Sequence, residues 1–130
     1  MYTSTADAIT ADQLGGFFVG WSYPPSPERH LDILHGSHAV ELALDGDTVV
    51  GFATAISDGV LSAFIPLLEV LPEYQHRRIG TELVRRLLGR LDTFYMVDLC
   101  CDAGLEPFYR TLGFQTLDRG MGIRRTRVGQ

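Results

Sequence analysis

The sequence predicts an α/β (α+β) fold over residues 1–130, with strands and amphipathic helices in one compact domain. Residues 60–70 are apolar and end before Pro72, which is typical of a buried strand because proline cannot donate to a ladder. Residues 78–91 follow with Ile79, Leu83, Leu87 and Leu91 at four-residue intervals, which predicts an amphipathic helix. The chain of 130 residues is 45% hydrophobic and 21% charged, enough for one core and too short for two ordinary domains.

Five further elements are predicted before the strand at residues 60–70. The first is a short strand at residues 2–5. A helix then begins at the capping-box pattern of Thr10 and Gln13, and it carries Leu14, Phe17, Phe18 and Trp21 at helical spacing. A second helix runs from the Ser26-Pro27 pair to Gly36, and strands follow at residues 39–44 and 48–56. Tight turns are expected at residues 45–47 and 57–59, and a proline-rich aromatic loop at residues 20–27.

Three elements are predicted after the helix at residues 78–91. A strand covers residues 94–101, a short helix begins at the N-cap Asp102 and stops at Gly113, and a final hairpin pairs residues 114–117 with 121–125. Cys100 and Cys101 are adjacent, and because neighbouring strand residues point to opposite faces, strand geometry disfavours a disulfide between them. We expect both to be small core residues, the alternative being a nucleophilic thiol.

The turn between the strand at 60–70 and the helix at 78–91 is a candidate anion site. It holds Arg77, Arg78 and Gly80. Unpaired N–H groups and the dipole at a helix N-terminus favour negative charge, and arginines favour a phosphate.

The segment Gln75-His76-Arg77-Arg78-Ile79-Gly80 resembles the coenzyme A pyrophosphate loop of the GNAT superfamily of N-acetyltransferases, whose pattern is Gln or Arg, two residues, Gly, one residue, then Gly or Ala. The resemblance implies a cofactor site at Gln75, His76, Arg77, Arg78, Ile79, Gly80 and Thr81. Arg78 replaces the middle glycine. It either keeps helical φ/ψ and adds a phosphate contact, or it weakens the site.

The segment Phe108-Tyr109-x-x-x-Gly113-Phe114 is similar to the last helix of GNAT proteins. The resemblance implies that Tyr109 protonates the departing thiolate of coenzyme A, a step for which a phenol is suitable. The alternative is a tyrosine that only packs under the helix.

The family resemblance also implies a central mixed, mostly antiparallel sheet flanked by helices. Two of its strands separate near residues 60–70, and the pantetheine chain then pairs with exposed backbone near Leu68 and Val70. The implied activity is direct transfer of an acetyl group from acetyl-CoA, the cosubstrate, to a small amine. The alternative is a non-catalytic acyl-CoA-binding module on the same fold. A homodimer is expected from the family alone.

Candidate acceptor residues lie outside these motifs. Glu69 is a lone charge in an apolar stretch, which suggests a base or an amine ligand, unless it emerges into solvent or pairs with an arginine. Trp21 and Tyr23 offer aromatic faces to an amine, unless they form a hydrophobic plug. Residues 1–76 hold one arginine and ten acids, whereas residues 77–130 hold ten arginines and six acids. This asymmetry favours an anionic cofactor and a cationic acceptor.

Several classes of function are not expected. The net charge of −5 argues against nucleic acid, and no apolar run reaches the ~18 residues that span a bilayer. His30, His35 and His38 lack the i, i+4 spacing of helical metal ligands, so no metal is expected. The first ten residues do not resemble a signal peptide, and we expect a cytoplasmic protein.

Overall fold

The computed structural model describes residues 1–125, which form a mixed five-stranded sheet and three α-helices. The strands are β1 (Tyr2–Thr3), β2 (Ala39–Asp45), β3 (Thr48–Ser57), β4 (Ser62–Val70) and β5 (Met96–Asp98), in that spatial order. The helices are α1 (Pro27–Gly36), α2 (Ile79–Arg90) and α3 (Glu106–Arg110), and short 3₁₀ turns cover Ala11–Gln13, Pro72–Tyr74 and Ala103–Leu105. Only the β4–β5 pair is parallel. The mixed, mostly antiparallel sheet is therefore confirmed.

The chain forms two compact units, Met1–Leu99 and the described part of Cys100–Gln130. The first unit contains the sheet with α1 and α2, and the second contains α3. The expectation of a single domain stays a prediction.

The predicted turns of the sheet are confirmed by their backbone geometry. Gly46 has a φ of 61° between β2 and β3, a left-handed conformation that suits glycine. Between β3 and β4, the Asp58 carboxylate accepts hydrogen bonds from the N–H groups of Val60 and Leu61 at 2.8 and 2.9 Å. These turns fix the register that joins the three central strands.

Helices α1 and α2 pack on opposite faces of β3. The Phe52 ring contacts the ring of His30 on α1, with centroids 4.3 Å apart. A Cβ atom on the neighbouring Gly51 would lie 3.2 Å from Ile79 and 3.1 Å from Leu83, both on α2. Because successive strand residues point to opposite faces, the sheet lies between the two helices.

We expect Gly51→Ala to lower the free energy of unfolding by about 1–2 kcal/mol, because the added methyl group crowds α2. Thermal denaturation of both proteins measures the change. Gly89→Ala is the control, since no atom lies within 4 Å of a Cβ at that exposed helical position and alanine favours a helix. Equal loss of stability in the two variants would contradict close packing at Gly51.

The predicted helix after Thr10 is wrong, because only the turn Ala11–Gln13 is helical. The capping contact does form, since the Gln13 Oε1 atom accepts from the Thr10 N–H at 2.8 Å. Beyond it, Gly16, Phe18 and Gly20 have φ values of 90°, 63° and 85°. These left-handed residues are incompatible with a right-handed helix.

The C-terminal predictions are confirmed in part. The predicted helix after Asp102 forms as the turn Ala103–Leu105 followed by α3, and Gly113 follows with a φ of 97°. The predicted hairpin is wrong, because residues 114–125 contain no strand. Its apolar side chains Leu117, Met121 and Ile123 are exposed, and a two-stranded hairpin without a packed face is unstable.

The strand prediction at residues 94–101 and the core assignment of the cysteines also need correction. Strand β5 covers only Met96–Asp98, and Cys100 and Cys101 lie beyond its end, where both are exposed. Although Cys101 is exposed, its partial loss of hydration, followed by the charges of Glu106 and Asp102, raises the pKa of the thiol. A raised pKa lowers the thiolate fraction and disfavours a nucleophilic role.

Candidate functional site

Strand β4 has an open edge in its second half. It pairs with β5 at three positions, from Ser62 opposite Met96 to Phe64 opposite Asp98. No described strand lies beside residues 65–70 on that edge. The register between β3 and β4 also shifts between Thr54 and Ile56, which places a bulge beside Phe64, the last residue of β4 that pairs with β5.

The open edge carries the backbone polar groups of Leu68 and Val70. The Leu71 N–H donates to the Val50 carbonyl of β3 at 2.9 Å, and Glu69 lies opposite Phe52 of the same strand. Since antiparallel ladders direct the polar groups of successive residues to opposite edges, Leu68 and Val70 face away from β3. An extended amide chain could pair with such an edge.

The chain turns sharply between β4 and α2. His76 and Arg78 have φ values of 66° and 63°, the left-handed region that non-glycine residues seldom occupy. The Gln75 side chain closes the turn, because its Nε2 donates to the Val70 carbonyl at 3.0 Å. Successive N–H groups in such a turn converge on one side and can bind an anion.

Arg78 is the N-cap of α2 and does not have helical φ/ψ, contrary to one of the two expectations above. It adopts the backbone conformation that a glycine takes without strain. The first intrahelical bond runs from the Glu82 N–H to the Arg78 carbonyl at 3.1 Å. The N–H groups of Ile79, Gly80 and Thr81 thus have no partner within the helix.

The arginines of this turn add positive charge beside the N–H groups at the start of α2. Neither Arg77 nor Arg78 forms an ion pair with a carboxylate within residues 1–125, whereas Arg85 and Arg86 both bind Glu82. The Arg77 guanidinium lies 5.1 Å from the centroid of the Tyr74 ring, which directs it by a cation–π contact. Two charges without acidic partners suit a polyphosphate ligand.

The Tyr109 side chain is buried. Its ring makes edge-on contacts with Phe108 and Phe114, at centroid distances of 5.0 and 5.6 Å. Burial, followed by the charge of Cys101, raises the pKa of the phenol. Tyr109 therefore stays protonated at neutral pH and keeps a proton to donate. Its role in catalysis stays a prediction.

Glu69 has partners that the sequence did not indicate. Its Oε1 accepts from the Phe18 N–H at 2.8 Å, and its Oε2 accepts from the Val19 N–H at 3.2 Å. The carboxylate thus neither extends freely into solvent nor pairs with an arginine. Its assignment as a base or an amine ligand stays a prediction.

The aromatic residues around this contact divide into buried and exposed sets. Phe17 and Phe18 are buried against His30 and Phe52. Trp21 and Tyr23 are about half exposed, at 52% and 50%, so the hydrophobic plug is formed by the phenylalanines. Trp21 and Tyr23 remain candidates for contact with an acceptor.

His30 is the feature of this region that sequence analysis missed. It is 1% exposed, and neither ring nitrogen has a hydrogen-bond partner among the described residues. Burial lowers its pKa to about 4. The sequence does contain a signal for the burial of His30. The residue lies one helical turn after the N-cap Ser26 and four residues before Leu34, on the buried face of α1.

Metal-ligand clusters and membrane-spanning helices are both absent from residues 1–125. No three His, Cys, Asp or Glu side chains lie together as a metal site would require. None of the helices has the length and apolar character of a transmembrane span.

The α+β fold, in which an open strand edge leads through a left-handed turn to a helix N-terminus, is the fold of known acetyltransferases. The chain belongs to the acetyltransferase (GNAT) family, whose model matches residues 6–114.

Proteins with similar sequences and structures are also acetyltransferases by name. A crystal structure from Deinococcus radiodurans R1, provisionally assigned as an acetyltransferase, is 42% identical with a TM-score of 0.92, over 97% of this chain and 88% of the other. A GNAT family acetyltransferase of Streptococcus pneumoniae TIGR4 is 33% identical with a TM-score of 0.80, over 96% of each chain. The uncharacterized N-acetyltransferase ycf52 of Porphyra purpurea is 29% identical over 101 residues, which are 74% of this chain and 58% of that protein. The chain thus matches little more than half of that relative.

Proposed function

We propose that the protein is an acetyl-CoA-dependent N-acetyltransferase that acts on a small amine. The observation that carries the proposal is the open edge of β4, which continues through the left-handed turn into the N-terminus of α2. An extended pantetheine chain would pair with Leu68 and Val70, and the pyrophosphate would bind the N–H groups of the turn. Family membership supports this use of the two features.

The residues of the turn would share the anionic part of the cofactor. Ile79, Gly80 and Thr81 would donate backbone N–H groups, and Arg77 and Arg78 would supply charge. Gln75 would hold the shape of the turn through its bond to Val70. His76 is exposed and left-handed, so its backbone would contribute more than its ring.

In the proposed reaction, the nitrogen of a neutral amine attacks the thioester carbonyl carbon of acetyl-CoA. The C–N bond forms, the C–S bond breaks, and the thiolate takes the Tyr109 hydroxyl proton. The amine loses a proton through a water chain, because both oxygens of Glu69, the base that the sequence predicts, are engaged by backbone N–H groups. The preponderance of acids in residues 1–76 supports a cationic acceptor, and the exposed faces of Trp21 and Tyr23 support its binding.

A non-catalytic acyl-CoA-binding module is the second candidate. The observation that favours it is the engagement of both Glu69 oxygens by backbone N–H groups, which leaves the base less available. Such a module would bind acetyl-CoA through the same turn and release no thiol from any amine.

Calorimetric titration of acetyl-CoA into the ligand-free protein tests the cofactor site. We expect a Kd on the order of micromolar. Arg78→Gly should bind up to about tenfold more weakly, because it removes one charge and keeps the left-handed turn. Arg29→Gly, the same substitution at an exposed arginine of α1 on the opposite face of the sheet from α2, is the control and should bind like the parent. An amine panel read by thiol release then separates the enzyme from the binding module.

Two outcomes would change the proposal. Binding by Arg78→Gly but not by the parent would mean that the arginine side chain blocks the turn. No binding by either protein would overturn the cofactor assignment.

A further inference from the structure

The aromatic loop, defined here as residues 15–23, lacks regular secondary structure. Three of its residues, Gly16, Phe18 and Gly20, are left-handed, so neither a helical nor a sheet ladder satisfies its N–H groups. It also presents Val19, Trp21 and Tyr23 at the surface. The loop has one internal backbone hydrogen bond, from the Trp21 N–H to the Phe18 carbonyl at 3.2 Å, so its position depends mainly on partners outside the segment.

The side chain of Glu69, on strand β4, provides hydrogen-bond acceptors for the aromatic loop. One carboxylate accepts from two consecutive N–H groups, those of Phe18 and Val19, at 2.8 and 3.2 Å. Phe18 and Val19 precede Glu69 by 51 and 50 positions in the sequence, so this is a tertiary contact. Hydrogen bonds to an ionised acceptor are about twice as strong as those between neutral groups.

The Phe18 ring is held at the same place. It makes edge-on contacts with Trp21 and His30 at centroid distances of 5.0 Å, and with Phe52 at 6.0 Å. Phe52 is the residue directly opposite Glu69 in the ladder. Glu69 therefore holds the backbone of Phe18, and Phe52, the cross-strand neighbour of Glu69, contacts the Phe18 ring.

Glu69 also lies between the two residues that face the open edge. Its own backbone is directed to β3 and its side chain to the aromatic loop, whereas the backbones of Leu68 and Val70 are directed to the edge. A ligand strand that orders residues 68–70 would thus also restrict the position of the Glu69 carboxylate.

We propose that Glu69 is a positioning residue, which holds the aromatic loop on β4 and couples occupancy of the open edge to the placement of Trp21 and Tyr23. The coupling to acetyl-CoA rests on the proposed function, whereas the hold on the loop does not. In this role Glu69 affects acceptor binding through the loop without exchanging a proton with the substrate.

Amide hydrogen exchange on the ligand-free protein tests the hold on the loop. Glu69→Gln keeps the shape of the side chain and removes its charge and one acceptor oxygen. We expect exchange at Phe18 and Val19 to become about tenfold faster, because charged hydrogen bonds contribute most to their protection. Asp12→Asn is the matched control, because Asp12 is exposed and has no hydrogen bond or ion pair within residues 1–125. Unchanged exchange in Glu69→Gln would overturn the proposal.

The coupling is tested by adding acetyl-CoA and by steady-state kinetics. In the parent, acetyl-CoA should slow exchange at Phe18 and Val19, and this effect should be lost in Glu69→Gln. The KM for the amine should rise about tenfold while kcat and its pH profile stay unchanged. A fall in kcat with loss of a limb of the pH profile would instead assign Glu69 as the base and overturn the positioning role.

A second variant and the ligand-free exchange rates cover two outcomes in which the first experiment alone would not test the role of Glu69. If Glu69→Gln fails to fold, Glu69→Asp retains the charge on a side chain one methylene shorter and should also speed exchange at Phe18 and Val19. If the parent does not bind acetyl-CoA, the proposed function fails, and the exchange rates of the ligand-free proteins still decide whether Glu69 holds the loop.

Discussion

Tyr109→Phe is expected to lower kcat by about 10²- to 10⁴-fold while the Kd for acetyl-CoA stays unchanged. The substitution removes one hydroxyl group and leaves a ring that can keep its edge-on contacts with Phe108 and Phe114. Without a proton donor, the thiolate must leave as an anion, which raises the barrier of the step that breaks the C–S bond. Single-turnover thiol release measures the rate, and calorimetry measures binding.

The pH dependence provides a second test of the same residue. Burial and the charge of Cys101 raise the pKa of Tyr109, so the phenol should stay protonated through neutral pH. The alkaline limb of kcat in the parent should then lie above the ordinary range of tyrosine, and Tyr109→Phe should lack that limb. Tyr95→Phe is the control, because the Tyr95 side chain is 84% exposed. Equal kcat values for the parent and Tyr109→Phe would contradict the assignment.

Acidification from pH 6.5 to pH 4 is expected to cost the protein about 3 kcal/mol of unfolding free energy through His30 alone. The ring is buried among Phe17, Phe18 and Phe52, and its pKa falls from 6.5 to about 4. In this window the unfolded chain binds a proton that the folded chain does not, so stability falls as pH falls. Below about pH 4 both states are protonated, and the His30 contribution levels off.

Urea denaturation at several pH values measures this effect. His30→Leu has a side chain of similar volume that does not titrate, so its unfolding free energy should lack this part of the decline. The difference between the two proteins at each pH isolates His30 from the carboxylates that titrate in the same range. Parallel curves for the parent and His30→Leu would contradict burial of a neutral imidazole.

The elements predicted best are those with strong local signals. The helix predicted at residues 78–91 forms as Ile79–Arg90, with Arg78 and Leu91 as its caps. The Ser26-Pro27 pair starts α1 as expected, since the Ser26 side chain accepts from the Arg29 N–H at 3.2 Å. Periodicity and capping act over a few residues, so a sequence displays them directly.

The features that sequence analysis missed depend on distant parts of the chain. Leu14, Phe17, Phe18 and Trp21 have helical spacing, yet this segment is irregular and buries two of its rings against His30 and Phe52. The partners of Glu69 are about fifty residues away, beyond the reach of any local pattern. Arg78 adopts a left-handed backbone conformation that is typical of glycine, which a side-chain pattern alone cannot reveal.

The open edge of β4 also bears on colloidal behaviour. An unpaired strand edge is a template for the backbone of another polypeptide, and natural sheets protect such edges with proline, charge and brevity. Residues 65–70 have all three, since Pro66 lacks an N–H group, Glu69 carries a charge and the open stretch is six residues long. The strand can therefore stay available to a small extended ligand while discouraging cross-β growth between copies of the protein.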